Sequence, residues 1–286
     1  MGLPTRSIQG VPDASSTLSE RKRFRLHKWC FVSLTLILIM IGSLFIYFNS
    51  TSDPKVLFGK GWVTITMDDG TIGQYSYAFP ILRARDILAT IFLVTSRMEP
   101  SRTWYISIAQ ALEMQSAGWE IGSHSKIHVD LTTLTDQEIQ DEVYWSKSLL
   151  ESWGFSIRSF AYPEGKYDMR VLRTVSQSYS IARGVSGSHQ PYDFDSLTFE
   201  DRYTELGWVS HKSVAQIKVL IDQAASENKW LVLGFHMFYA DGRADECENF
   251  TEIADYIHTK VVSGELETVT LIQGWSEWAH SRNITI

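Results

Sequence analysis

Five side chains in this sequence are of the types that hydrolytic chemistry uses, and each follows a short apolar run. Asp68 and Asp69 close the stretch Trp62-Val-Thr-Ile-Thr-Met-Asp-Asp-Gly70, His124 and His128 lie four residues apart in Trp119-Glu-Ile-Gly-Ser-His-Ser-Lys-Ile-His128, and His236 ends Trp230-Leu-Val-Leu-Gly-Phe-His236. Val63, Ile65 and Met67 alternate with Thr64 and Thr66, the period of a strand, so the two acids stand where a strand breaks into a loop. Successive side chains on a strand point to opposite sides, which lets one carboxylate bind a metal while the other stays free to take protons. Asp-Asp-Gly alone reads equally well as a turn. Two histidines at i and i+4, taken with an acid, supply three nitrogen and oxygen ligands, the number that leaves a catalytic divalent ion open positions for water.

The elements that must carry these residues alternate in type. Strand patterns at 89–94, 119–123, 158–162, 180–183, 229–235 and 267–271 are interleaved with helical ones at 77–84, 106–117, 136–153, 214–227 and 250–262, of which 106–117 and 136–153 are periodic and are followed by Gly118 and Gly154. Such alternation implies parallel β/α units. About seven of them in residues 62–286 fit a distorted (β/α)7-type barrel better than an open doubly wound sheet. In either architecture the loops after the strands gather on one face, and the candidate residues all follow predicted strands.

The rest of the composition bounds where this chemistry takes place. Of 286 residues, 44% are hydrophobic and 21% charged, which suits one large α/β domain with an added segment. That segment is 29–48, a run of 20 residues without a charge, long enough to cross a bilayer as a helix. It ends in the bulky Phe45-Ile-Tyr-Phe48 rather than in small residues, so it reads as an uncleaved signal anchor and not a removed signal peptide. Arg21, Lys22, Arg23, Arg25 and Lys28 precede it and only Lys55 and Lys60 follow soon after. The expected orientation therefore keeps the N-terminus in the cytoplasm and everything from Asn49 outside. The expected organisation is a disordered basic tail at 1–28, the anchor at 29–48, a linker at 49–61 and a catalytic domain at 62–286. The tail has six Lys/Arg against two Asp/Glu, a net of +4, which leaves −11 on the remainder of a chain whose total is −7. So acidic an outer domain argues against a nucleic-acid partner. Cys30 lies at the edge of the span and Cys247 is alone in the outer domain, which excludes an intramolecular disulfide and a cysteine-based zinc site there.

The motifs and their order resemble the polysaccharide deacetylases, also known as the NodB-homology or family-four carbohydrate esterases, from about 62 to about 271. The family's T-F-D-D-G reads here as Thr66-Met-Asp-Asp-Gly70, its H-S/T-x-x-H as His124-Ser-Lys-Ile-His128, and its F-A-Y-P-x-G variant as Phe160-Ala-Tyr-Pro-Glu-Gly165. The strand ending in His236 is the last motif. The resemblance implies a distorted barrel and a hydrolase that removes N-acetyl groups, in preference to O-acetyl groups, from a carbohydrate polymer. It implies that Asp69, His124 and His128 hold a divalent metal, zinc first, with cobalt, nickel or manganese acceptable to the same donors. Asp68 would be the general base and His236 the general acid. Tyr162, Pro163, Glu164 and Phe238, next to the motifs, are the expected substrate contacts, with a backbone N–H near Glu164 as a further oxyanion donor. Trp119 and Trp230, which introduce strands, are expected in the core.

Ala161 stands where many relatives carry an arginine that touches the base, and the acid expected to orient His236 is one of Asp193, Asp195, Asp201 or Glu205. Two rival readings stay open. One is an amide hydrolase of the same barrel type acting on a small non-sugar molecule. The other is an inactive, membrane-tethered carbohydrate-binding module.

Overall fold

The structure is a computed structural model and describes residues 60–99, 101–184, 204–208, 212–245 and 247–281. The basic tail and the apolar run at 29–48 lie outside these residues, as do Asp193, Asp195 and Asp201. Among the described residues no helix is long and apolar enough to cross a membrane.

Eight strands carry the fold: β1 (Gly61–Met67), β2 (Ala89–Leu93), β3 (Glu120–Ser123), β4 (Ser159–Ala161), β5 (Ile181–Arg183), β6 (Thr204–Trp208), β7 (Trp230–Phe235) and β8 (Leu266–Thr268). Every pairing is parallel, and the order is β5-β4-β3-β2-β1-β7-β6 with β8 also on β1. β8 takes the start of β1, Gly61–Val63, and β2 takes its end, Ile65–Met67. Among the described residues β5 and β6 do not pair, and the parallel sheet of the expected distorted barrel is a curled half-barrel. The helices are α1 (Phe79–Arg83), α2 (Ile108–Ser116), α3 (Asp136–Ser152), α4 (Met169–Ser176), α5 (Val214–Glu227), α6 (Phe250–Val262) and α7 (Leu271–Ser281).

Strand β1 sits in the middle of the sheet and is buried along its whole length. Val63, Ile65 and Met67 join the large core under the helices. The alternate threonines are buried as well, and each finds an acceptor: Thr64 Oγ1 donates to Val269 O at 2.8 Å and Thr66 Oγ1 to Leu233 O at 3.1 Å. A hydroxyl is tolerated inside a sheet only on such terms. A second apolar cluster brings together Trp62, Phe92, Ala161, Trp230, Trp275 and Trp278, so the strand-leading tryptophan Trp230 is core as expected.

Strand β6 and helices α4 and α7 are absent from the sequence reading, and for the two helices the reason is identifiable. The expected strand at 267–271 stops at Thr268, because Thr270 opens helix α7 with a reciprocal cap: its N–H donates to Gln273 Oε1 at 2.9 Å, and its Oγ1 accepts from Gln273 N at 3.3 Å. The next two amides of α7 are bound from the starts of the strands, Leu271 N to Thr90 Oγ1 and Ile272 N to Glu120 Oε2, at 2.9 and 2.8 Å. Helix α7 therefore closes the end of the sheet opposite to the loops that carry the candidate site. Helix α4, unread in the sequence, is started by Asp168, whose Oδ1 accepts from Arg170 N and Val171 N at 2.9 and 3.0 Å.

Candidate active site

The acids of β1, the histidines after β3 and the histidine after β7 come together because β1 lies between β2 and β7 and β2 lies between β1 and β3. Asp68 continues the ladder, its N–H donating to Phe235 O at 2.9 Å. Asp69 then turns into the left-handed region at φ 78° and Gly70 follows at φ 67°. Ser125, His128 and Glu164 also have positive φ, so four of the six such non-glycine residues among those described sit in the loops of this site. Backbone strain of this kind persists where surrounding contacts over-determine the geometry.

Those contacts are specific. Gln74, fully buried, donates from Nε2 to the carbonyl oxygens of Asp68 and of His236, the latter at 2.7 Å, and Thr71 Oγ1 donates to the same His236 oxygen at 3.1 Å. The ends of β1 and β7 are thereby pinned to one loop. Gly73 makes this possible, since a Cβ there would lie 2.2 Å from Phe238 O. Across the sheet, Glu142 of α3 accepts from the amides of Lys126 and Ile127 at 2.9 and 3.0 Å, and Ser125 Oγ accepts from His128 N at 3.0 Å. The helix thus holds the loop between the two histidines.

The side chains then meet as follows. His124, buried, hydrogen-bonds through Nδ1 to Ala161 O at 2.8 Å. A carbonyl can only accept, so Nδ1 carries the proton and Nε2 keeps a lone pair. That Nε2 lies 3.9 Å from Asp69 Oδ1 and 4.0 Å from Asp68 Oδ2, and His128 Nε2 lies 3.3 Å from the same Asp69 oxygen. One ligand atom from each of Asp69, His124 and His128 falls within 4.8 Å of the others. Asp69 Oδ1 is buried and accepts no aligned hydrogen bond, although the Arg97 guanidinium stands 2.6 Å away as an ion-pair partner. A buried oxygen without a hydrogen bond, faced by two imidazole nitrogens of which one is held in the metal-binding tautomer, fits a divalent ion.

Asp68 points elsewhere. Its Oδ1 accepts from Nη2 of Arg183, a buried residue at the end of β5, and its Oδ2 lies 3.9 Å from His236 Nε2. The guanidinium is further fixed by donating to Gly184 O at 3.1 Å and by lying 5.2 Å from the centre of the Phe92 ring. Burial pushes the Asp68 carboxyl up, but the charges of Arg183, His124 and His236 together with the Arg183 hydrogen bond outweigh it and hold the group below the usual range. Burial, aided by the neighbouring His128, pulls His124 down to about 4 against the opposing pull of Asp68, Asp69 and the Ala161 carbonyl.

The four residues expected to contact substrate are placed differently from one another. Tyr162 is buried against Tyr167, with ring centres 4.6 Å apart, and Phe238 is wedged between Phe235 and Phe250. Pro163 is buried too. None of the three offers a ring face to a sugar. Glu164 is exposed and pairs with Lys166 Nζ at 2.6 Å, while the next two amides of its turn, Gly165 N and Lys166 N, are taken by Tyr162 O and Pro163 O.

Residues 56–180 match the sequence profile of the polysaccharide deacetylase family, and this stretch is similar to it. A putative polysaccharide deacetylase of Bacillus subtilis, YxkH, is 31% identical over 117 residues, 41% of this chain and 41% of that protein. A peptidoglycan-N-acetylglucosamine deacetylase of Bacillus cereus is 26% identical over 117 residues, 41% of this chain and 52% of that protein. The matched stretch therefore spans about half or less of either relative's length. The fold is similar to the CE4 domain of a multidomain xylanase from the hindgut metagenome of Trinervitermes trinervoides. That match has a TM-score of 0.54 and 19% identity, over 79% of this chain and 93% of the other.

Proposed function

We propose that this chain is a metal-dependent deacetylase that hydrolyses N-acetyl groups, in preference to O-acetyl groups, on a carbohydrate polymer. We further place it at a membrane, tethered by 29–48 with the catalytic domain outside. The observation that carries the catalytic reading is the division of labour between adjacent acids: Asp69 faces two imidazole nitrogens, and Asp68 faces Arg183 and His236. The apolar run and its basic flank support the location, and the family match supports the acetylated-polysaccharide class.

An amide is a weak electrophile with a poor leaving group. A divalent ion held by Asp69, His124 and His128, zinc first with cobalt, nickel or manganese as alternatives, supplies carbonyl polarisation and a more acidic water. Everything else falls to side chains of this chain. Asp68 takes a proton from the attacking water as its oxygen bonds to the acetyl carbon. Arg183 keeps that carboxylate ionised and aimed. As the carbon–nitrogen bond breaks, His236 gives a proton to the departing nitrogen, so the products are acetate and a free amine. The 3.9 Å between His236 Nε2 and Asp68 Oδ2 supports the reading of the two as acid and base at one reacting centre.

The test is acetate release by the full chain in detergent, with zinc and after chelation, across chitin-type, peptidoglycan and poly-N-acetylglucosamine polymers, acetylated xylan and small acetamides. Metal-dependent release from at least one N-acetylated polymer is expected. Release from small non-sugar amides alone would move the substrate class, and no release from a zinc-loaded protein would refute the enzyme reading. Protease added to intact cells should remove the domain and spare the tail if the orientation is right.

A further inference from the structure

The turn Thr95–Arg97 after β2 is stitched to the histidine loop. Thr95 N and Ser96 N donate to the carbonyls of Ser125 and Lys126 at 3.3 and 2.9 Å, and the following residue, Met98, is buried. From this turn Arg97 brings Nη1 to 2.6 Å from Asp69 Oδ1, with its guanidinium carbon 5.2 Å from the centre of the Tyr105 ring. Tyr105 bridges Thr71, two residues beyond Asp69. The cation is held by the very segments that place Asp69 and His128, and its side chain is only 20% exposed. One oxygen, Asp69 Oδ1, is thus approached by a guanidinium on one side and by His128 Nε2 at 3.3 Å and His124 Nε2 at 3.9 Å on the other.

We propose that Arg97 is a resident counter-cation of the candidate metal site, pairing with Asp69 in the metal-free protein and weakening the hold on a divalent ion by competing for Oδ1 and by like-charge repulsion. The inference rests on the reading of Asp69, His124 and His128 as ligands. Its physical basis is that a guanidinium stays charged throughout the pH range of folded protein. It cannot relieve the repulsion by losing a proton near neutral pH, as a histidine would. Without an ion, Asp69 is still neutralised, so the fold does not depend on metal to compensate a half-buried carboxylate. With an ion, the guanidinium and the ion share one carboxylate, which leaves the ion less tightly retained than three anchoring donors alone would make it.

The experiment measures zinc affinity of the full chain in detergent near pH 7, by competition with a chromophoric chelator, for the wild type, Arg97→Ala and Arg97→Lys. Arg97→Ala is expected to bind zinc about tenfold more tightly or better, the scale of one unit charge removed from beside a divalent ion in a partly exposed site. Arg97→Lys, which keeps the charge, is expected near the wild type. The metal-free Arg97→Ala protein should also unfold at a lower temperature than metal-free wild type, with a larger rise in Tm on adding zinc. Equal or weaker zinc binding by Arg97→Ala overturns the inference, as does Arg97→Lys behaving like Arg97→Ala. A His128→Ala control separates the two possible failures. If it lowers zinc binding while Arg97→Ala changes nothing, the ligand reading stands and the role of Arg97 falls. If no variant binds zinc, both fall.

Discussion

Ala161 and Arg183 are register partners on neighbouring parallel strands, and the guanidinium of the second reaches the carboxylate of Asp68. Ala161 is the position at which the resemblance puts an arginine in many relatives, and here the guanidinium comes from Arg183 instead. Register partners on adjacent strands face the same side of the sheet, so the charge enters the site from one strand further along the sheet. Arg183→Ala should leave Asp68 buried beside no guanidinium. The expected cost is about 3–5 kcal/mol of stability and a fall of about a hundredfold or more in kcat, read by thermal unfolding and acetate release. Arg183→Lys should recover stability better than rate, since an ammonium supplies the charge without the planar fork. The double variant Ala161→Arg with Arg183→Ala should regain part of the lost turnover. No recovery at all would mean that the position of the charge, and not merely its presence on that face, is what Asp68 requires.

Asp68 and Asp69 are adjacent in sequence and face different partners, so their amide variants should fail differently. Asp68→Asn should retain zinc and lose about 10²- to 10⁴-fold in rate, the range for a general base. Asp69→Asn should lose zinc and rate together. Bound metal measured beside acetate release decides it. Loss of zinc in Asp68→Asn with retention in Asp69→Asn would reverse the two assignments.

How legible this was can be judged residue by residue. That Asp68, Asp69, His124 and His236 come to one face was legible because each stands just past a strand pattern and parallel topology sends such ends to one side, and His128 lies four residues after His124. Helices α5 and α6 were legible to the residue because their first positions follow Ser213 and Asn249, capping residues that bond Gln216 N and Glu252 N at 3.3 and 3.0 Å. Arg183 was missed although a charge at the end of an apolar strand pattern was there to be noticed. Gln74, Glu142 and Arg97 left no sequence signal, because each acts through a tertiary contact with a loop far along the chain or across the sheet. Tyr162 and Phe238 were misjudged as available sugar platforms because proximity to a motif says nothing about which way a ring faces, and both pack inward.

Acid should destabilise the metal-free protein through His124. Burial pulls its folded-state pKa down from the ordinary 6.5 of a free imidazole to about 4. Between these values the unfolded chain binds a proton that the folded one refuses, so stability falls as pH drops through that window. At about 1.4 kcal/mol per unit, a shift of this size corresponds to something on the order of 3 kcal/mol. The depressed Asp68 carboxyl extends the loss to still lower pH, because a carboxylate stabilised in the folded state contributes above its unfolded pKa and loses that contribution on protonation. Denaturant unfolding of metal-free protein at a series of pH values should show this slope, and His124→Gln should flatten it between about pH 6.5 and 4. An unchanged slope in that variant would remove His124 as its source.

Glu142 offers a test that separates ligand placement from ligand identity. Its Oε2 accepts from both Lys126 N and Ile127 N, at 2.9 and 3.0 Å, inside the loop that joins His124 to His128. Glu142→Ala would leave two amides without their acceptor and free the loop that aims His128, whose own backbone is already held at φ 61°. Outer-shell partners of this kind typically govern about 10- to 100-fold in metal affinity. Zinc competition should therefore show a loss of that size, while circular dichroism shows α3 intact, since the residue is one of 17 in that helix and makes its bonds outside it. Glu142→Gln keeps a carbonyl oxygen in reach of the same amides and should recover most of the affinity. If Glu142→Ala binds zinc like the wild type, the loop is rigid without its anchor and the Ser125 Oγ contact to His128 N, at 3.0 Å, suffices to place the imidazole.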